Sequence, residues 1–295
     1  MTLAQDLKSA LSQDDLAAAR GLAAARVKTH PRDVEARMFL AELCVIAGEL
    51  DRAETHAKLA ATAAPDAAVG LGVFRQHLRA LHARDAWWTQ GALPTFPTGP
   101  SALSALALRL NIALRDEDGA AAAKALAALD DLRGEQPVVY DGTEAGDLRD
   151  LDDRLPHAIE ALSAGGHYLW LDFAQISELA FHPASRPIDM VLRRARVTLQ
   201  DGSAADIRVP AIYPEPRGGT SAPNAPASAA PADIALRLGR GTDFLDLPGG
   251  LTGARGLRCW LAGDRVLTCH EAQTLGFPPV THGGAEGAMQ TAGSA

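Results

Sequence analysis

Apolar and polar positions alternate with a helical period through the first half of the chain and with a strand period through the second. Val34 to Ala47 places Met38, Leu40, Ala41, Cys44 and Val45 on one side, and Gly48 follows as a left-handed stop. Aligning Asp15–Pro31 with Glu49–Pro65 sets Leu16 over Leu50, Ala19 over Ala53 and Pro31 over Pro65, an offset of 34 residues. A further helix is expected from about Ala67 to Arg84, then an aromatic and proline-rich crossover holding Trp87, Trp88 and Leu93 to Pro97. Ala102–Arg115 and Gly119–Arg133 form another helical pair around the turn Asp116-Glu117-Asp118.

A period of this length is the tetratricopeptide signature, a helical hairpin whose small residues allow close packing. Leu40, Ala41, Ala53, Ala60 and Pro65 occupy the pattern's usual places, whereas Arg37, Cys44 and Ala57 stand where larger residues are common. The repeat is therefore degenerate, and about six helices are expected before residue 135. Such a stack offers a concave groove for a peptide or helix, or else packs that face against the rest of the chain.

Asp141 to Asp153 carries Asp141, Glu144, Asp147, Asp150, Asp152 and Asp153 against Arg149. The segment 139–156 reads as a solvated acidic connector that caps a helix from Leu155 to Ser163. Beyond Gly165-Gly166, His167 to Leu171 reads as a strand and Pro187 to Arg193 as a short helix. Arg196 to Ile212 reads as a hairpin about Asp201-Gly202, and Gly256 to Cys269 as another about Gly263-Asp264. The expected class is α+β: a tetratricopeptide-like helical domain over 1–138, the connector, and a smaller α+β domain over 157–278. Loop 214–233 and tail 279–295, poor in large apolar residues, are expected to be disordered.

Composition narrows the function. The formal charge of −8 repels phosphate backbones and anionic membrane surfaces, so neither nucleic acid nor membrane is expected as a partner. No apolar run approaches a membrane span and the amino-terminal segment is amphipathic, so a cytoplasmic location is expected. Cys44, Cys259 and Cys269 are read as packed thiols, and no cofactor or metal is expected. The nine histidines form no metal-ligand spacing, and nucleophile-elbow, phosphate-loop and dinucleotide motifs are missing. Asp172, Asp189 and Asp243 are the isolated acid–base candidates, and Leu238 to Asp243 is a glycine-flanked segment able to cradle an anion. One catalytic alternative remains, a metal-assisted hydrolase using Asp147, Asp150, Asp152 or Asp153 with His157.

Several separated motifs are more specific together. They are Tyr140-Asp141-Gly142, Asp150 to Arg154, His167 to Phe173, Pro187 to Leu192, Val209 to Pro214 and Leu238 to Phe244. In this order, behind a degenerate repeat, the chain resembles the ImpE family, also called TagJ or SciE, of type VI secretion accessory proteins. The resemblance spans roughly residues 10 to 278. Phe244 stands where the family often has Trp, Asp172 where Pro is common, and the 214–233 loop is longer than usual. The resemblance implies a non-enzymatic cytoplasmic adaptor that binds the N-terminal helix of the small sheath subunit TssB and is linked to sheath recycling by the ClpV ATPase. A two-sided scaffold, sheath on one half and ATPase on the other, is a variant of that reading.

Trp170, Asp172, Tyr213, Arg240 and Asp243 are the candidate partner-binding residues, with Trp170 and Phe173 also read as core anchors. Arg240 is expected to pair with Asp243 or Asp172. Asp189, in the first turn of a helix, Pro210, Gly239 and Thr242, capping a turn, are read as structural.

Overall fold

A computed structural model describes residues 2–214 and 231–279. Seven α-helices precede the sheets: α1 (Leu3–Ser12), α2 (Leu16–Thr29), α3 (Val34–Ile46), α4 (Leu50–Ala63), α5 (Ala68–Gln90), α6 (Ala102–Arg115) and α7 (Gly119–Arg133). Each start has a local cause. Thr2 and Gln5 form a capping box, and Asp15, Asp33, Ser101 and Asp118 each accept the amide three residues on. Ala41, Ala53, Ala57 and Ala60 are fully buried, which lets successive helices approach closely, and Gly48 ends α3 at φ +78° as expected. Helix α5 runs past the expected end at Arg84 and absorbs Trp87 and Trp88 from the supposed crossover. Nothing breaks it before Gly91, and Trp87 finds a fully buried seat.

The rest is built from β1 (Val138–Tyr140), β2 (Thr143–Ala145), β3 (Leu148–Asp150), β4 (Ala158–Ser163), β5 (Tyr168–Asp172), β6 (Ile176–Phe181), β7 (Leu192–Leu199) and β8 (Ala204–Pro210). After α8 (Pro231–Arg237) come β9 (Thr242–Leu247), β10 (Leu251–Gly256), β11 (Cys259–Ala262), β12 (Arg265–Thr268) and β13 (Thr274–Gly276). An eight-stranded antiparallel sheet has the order β2-β1-β13-β6-β7-β8-β4-β5, beside β12-β11-β3 and the hairpin β10-β9. The α+β class and two expected hairpins, β7–β8 and β11–β12, are found.

Four expectations change. Residues 139–156 are not a solvated connector: they form β1 to β3, and Asp150 and Asp152 are buried. Leu155–Ser163 is not a helix, because β4 pairs on both edges, with β5 and β8, and is buried on both faces, so its apolar run carries no amphipathic period. The helix at Pro187 is only a 3₁₀ turn, Pro187–Met190, before β7 begins at Leu192. Hairpin β9–β10 was not expected, and Leu238 to Asp243 leads into it instead of closing on an anion. Most of loop 214–233 and of tail 279–295 lies outside the described residues, although α8 begins at Pro231.

The two halves share one core. Leu7, Phe39, Leu43, Leu78 and Trp87 from the helices belong to the same buried cluster as Ala158, Leu162, Tyr168, Trp170, Ile188 and Leu192. Helix α3 packs on the 3₁₀ turn, α5 on β4 and β5, and α6 on β5. The inner side of the helical array is thus occupied by the chain's own sheet, the second of the two arrangements open from sequence. No helix among the described residues is long and apolar enough to cross a membrane.

Candidate functional site

The densest polar chemistry lies where α5 meets the sheet. Glu160 is the third of the six residues of β4 and fully buried. Arg84 of α5 grips it with two hydrogen bonds of 2.8 and 2.9 Å and also donates to the Ile212 carbonyl. Trp88 Nε1 (2.9 Å) and the Tyr168 hydroxyl (2.6 Å) donate to the same carboxylate, and Trp170 Nε1 donates to Tyr168 (2.7 Å). Arg258 donates to the same Glu160 Oε2 as Arg84 and bridges it to Asp150, 2.6 Å away. The Tyr213 hydroxyl donates to Asp150 (2.6 Å) and accepts from the Cys259 amide. The guanidinium of Arg258 lies over the Tyr213 ring and its Nε donates to the Pro210 carbonyl.

Two guanidiniums and two carboxylates thus balance inside the protein, where an unpaired charge is costly. Burial raises the Glu160 carboxyl, but Arg84 and Arg258 overcome this and hold it down at about 2. Burial, reinforced by Asp152, pushes Asp150 up to about 6 despite Arg258. Glu160 is therefore depressed below its ordinary value of 4.5, so its contribution to stability is present above about pH 4.5 and lost as pH falls toward 2. Glu160→Gln is expected to flatten the acid limb of a stability-against-pH curve over that interval by about 3 kcal/mol. Urea titrations at stepped pH measure this, and equal slopes in both proteins would refute it.

A second bridge joins Glu42 of α3 to Arg186 (2.5 Å), whose guanidinium lies over the Phe39 ring. Burial, with Arg208 nearby, lowers His77 of α5 to about 4. Asp189, in the 3₁₀ turn, accepts the Ser185 and Arg186 amides and Arg208.

The acidic segment does not gather around a metal site. Asp147 is bound by Arg133 (2.6 and 2.9 Å), Asp150 by Arg258, Asp152 by Arg154 (2.8 Å) and Asp153 by Arg149 (2.5 Å). Each carboxylate proposed as a ligand faces a guanidinium, and no metal-like group of three or more His, Cys, Asp or Glu occurs among the described residues. His157 lies instead 3.4 Å from Asp172, to which Ser104 donates at 3.0 Å. Serine and histidine both converge on the carboxylate, so the imidazole does not stand between them as a proton relay requires.

The sequence-predicted residues separate by exposure. Trp170, Asp172 and Tyr213 are buried, so they hold the interior and are not presented to a partner. Arg240 and Asp243 lie at the surface, yet not as a pair. Arg240 reaches Asp14 (2.8 Å) and the Leu11 carbonyl of α1, while Asp243 pairs with Arg255 (2.8 Å). Arg240 therefore clamps the helical half to the sheet half, as Arg237 does through the Ala47 carbonyl. Thr242 donates to the Leu257 carbonyl, and a Cβ on Gly239, at φ +68°, would meet the His270 ring. Arg84, Glu160, Arg258, Glu42 and Arg186 escaped the sequence reading. A charge set inside Ala158-Ile159-Glu160-Ala161-Leu162 or Leu257-Arg258-Cys259-Trp260 was the available signal.

Comparison with known proteins agrees with the order of motifs. Residues 142–276, from β2 to β13, match the family model described as ImpE protein. The type VI secretion system accessory component TagJ of Pseudomonas aeruginosa is 27% identical over 271 residues, covering 86% of this chain and 84% of that protein. The crystal structure of protein VPA1032 from Vibrio parahaemolyticus is 25% identical and superposes with a TM-score of 0.79 over 92% of this chain and 97% of that one.

Proposed function

We propose that this ImpE-domain protein is a non-enzymatic, cytoplasmic accessory of a type VI secretion system. In this reading it binds the N-terminal helix of the small sheath subunit TssB and acts in ClpV-dependent sheath recycling. The observation that carries the reading is the match across 86% of the chain to a relative named as an accessory component of that system. TssB and ClpV enter through the family resemblance of the ordered sequence motifs. The internal chemistry is compatible, because Asp147, Asp150, Asp152 and Asp153, the carboxylates of the hydrolase alternative, are each paired with an arginine.

A helix binder needs exposed apolar side chains, and the inner faces of α3 and α5 do not supply them. The outer surface does: Leu59 near the end of α4 is 47% exposed, and Val69 and Val73, one turn apart at the start of α5, are 84% and 36% exposed. We assign this end of the α4–α5 hairpin as the docking face for an amphipathic helix with anchors at i, i+3 or i+4 and i+7. Titrating the labelled N-terminal TssB helix, with a scrambled control, is expected to give saturable anisotropy for the native peptide alone. Val69→Asp with Val73→Asp is expected to weaken it about tenfold or more without lowering Tm. A flat curve for the wild-type protein would overturn the TssB reading; an unchanged affinity in the double variant would overturn the assigned face.

A further inference from the structure

Among the described residues, hairpin β9–β10 has one finished edge and one without a pairing strand. On β10 the outward amides of Thr252 and Ala254 are taken by Asp153 (2.7 Å) and Asp152 (3.1 Å), and their carbonyls accept from the Asp153 amide and Arg154. Peptide groups alternate in direction along an antiparallel strand. With Thr252 and Ala254 turned outward, Leu251, Gly253 and Arg255 face their register partners Leu247, Leu245 and Asp243. Phe244 and Asp246 therefore turn their backbone N–H and C=O groups away from β10. Among the described residues no strand pairs with that edge and no group accepts either N–H.

The side chains match an edge that is used. Leu247 packs against the α6–α7 cluster, so alternation directs Phe244 and Asp246 to the opposite face, where Phe244 is 52% exposed. A strand of six residues carrying an exposed large aromatic has no proline to block its edge, and its protection is the negative charge of Asp243 and Asp246. The surroundings are acidic. Asp246 is exposed, Asp243 is exposed beside its partner Arg255, and the β9–β10 turn abuts Gly119, beside the exposed Asp116, Glu117 and Asp118. Antiparallel pairing of this edge with a second copy, centred on Leu245, would set Phe244 against the Asp246 of the other copy and bring two acidic surfaces together, which disfavours self-association.

We propose that β9 is a strand-addition site for an extended, basic segment of a partner protein, its backbone bonding to Phe244 and Asp246 and one apolar side chain covering the Phe244 ring. This surface is separate from the α4–α5 face and does not depend on the TssB reading.

The probe is a capped hexapeptide alternating lysine and valine, added to the full chain while amide hydrogen exchange is followed residue by residue. Saturating peptide is expected to slow exchange at Phe244 and Asp246 at least tenfold, and the counterpart with glutamate for lysine to leave both unchanged. Asp246→Pro removes an outward N–H while sparing the bonds to β10, so it is expected to weaken binding at least tenfold at unchanged Tm. Phe244→Thr, which keeps the strand, is expected to weaken it severalfold and decides the matter if the proline variant does not fold. Amides already protected in the free protein would mean that the chain itself, or a second copy if dilution removes the protection, covers the edge. Either result overturns the proposal, as would no slowing with the lysine peptide, equal binding of the glutamate peptide, or undiminished binding by the folded variants.

Discussion

Arg258→Ala is expected to lower the free energy of unfolding by about 3–5 kcal/mol, a large share of the roughly 5–15 kcal/mol that holds a domain together. The side chain of Arg258 is 2% exposed and that of each of its carboxylate partners 0%. Its loss leaves Asp150 and Glu160 facing Arg84 alone, an uncompensated negative charge in the interior. The cost is therefore dominated by the partners left behind and not by the arginine's own contacts. Urea unfolding followed by circular dichroism measures it, and a loss below about 1 kcal/mol would show that water or rearrangement absorbs the charge. Arg258→Met combined with Asp150→Asn is expected to cost less than the sum of the single changes, because the neutral amide removes one of the stranded charges.

Trp170→Ala is expected to cost about 3–5 kcal/mol, by the loss of buried surface and the cavity left behind. Trp170 is 1% exposed, meets Trp87 edge-on at 5.0 Å between ring centroids and Phe96 at 6.1 Å, and donates to Tyr168, which in turn holds Glu160. Its removal therefore opens the apolar joint between α5 and β5 and loosens the ionic one beside it. The change separates a core role from direct partner contact. A fall in Tm with peptide binding intact under conditions where the variant stays folded is the expected pair of results. A native Tm with binding abolished would return Trp170 to the surface role considered from sequence.

Much of the scaffold was legible because its signals are local. The repeat of small residues at Ala19 and Ala53, the stop at Gly48 and the turn at Asp201-Gly202 each act within a few residues of themselves. The ordered motifs from Tyr140 to Phe244 carried the family resemblance in the same way. The run Leu155 to Ser163 failed because a fully buried strand and a buried helix share one apolar texture, and only pairing with β5 and β8 separates them. Trp170, Asp172 and Tyr213 were recognised as special residues, but a core role and partner contact both stood open for Trp170 and Tyr213, since exposure is a property of the folded chain.

By itself the sequence determined the helical hairpins, the α+β class, two of the β-hairpins and the acidity of the surface, all set by neighbours within a turn or two. Only the tertiary structure decided that the inner helical face is closed by the chain's own sheet, that Asp147, Asp150, Asp152 and Asp153 are each matched by an arginine, and that among the described residues no strand pairs with the outer edge of β9. The reason is separation along the chain. Arg84 meets Glu160 across 76 residues and Arg258 meets it across 98, so no local pattern could reveal a balance of charge that exists only once α5, β4 and the residue entering β11 are packed together.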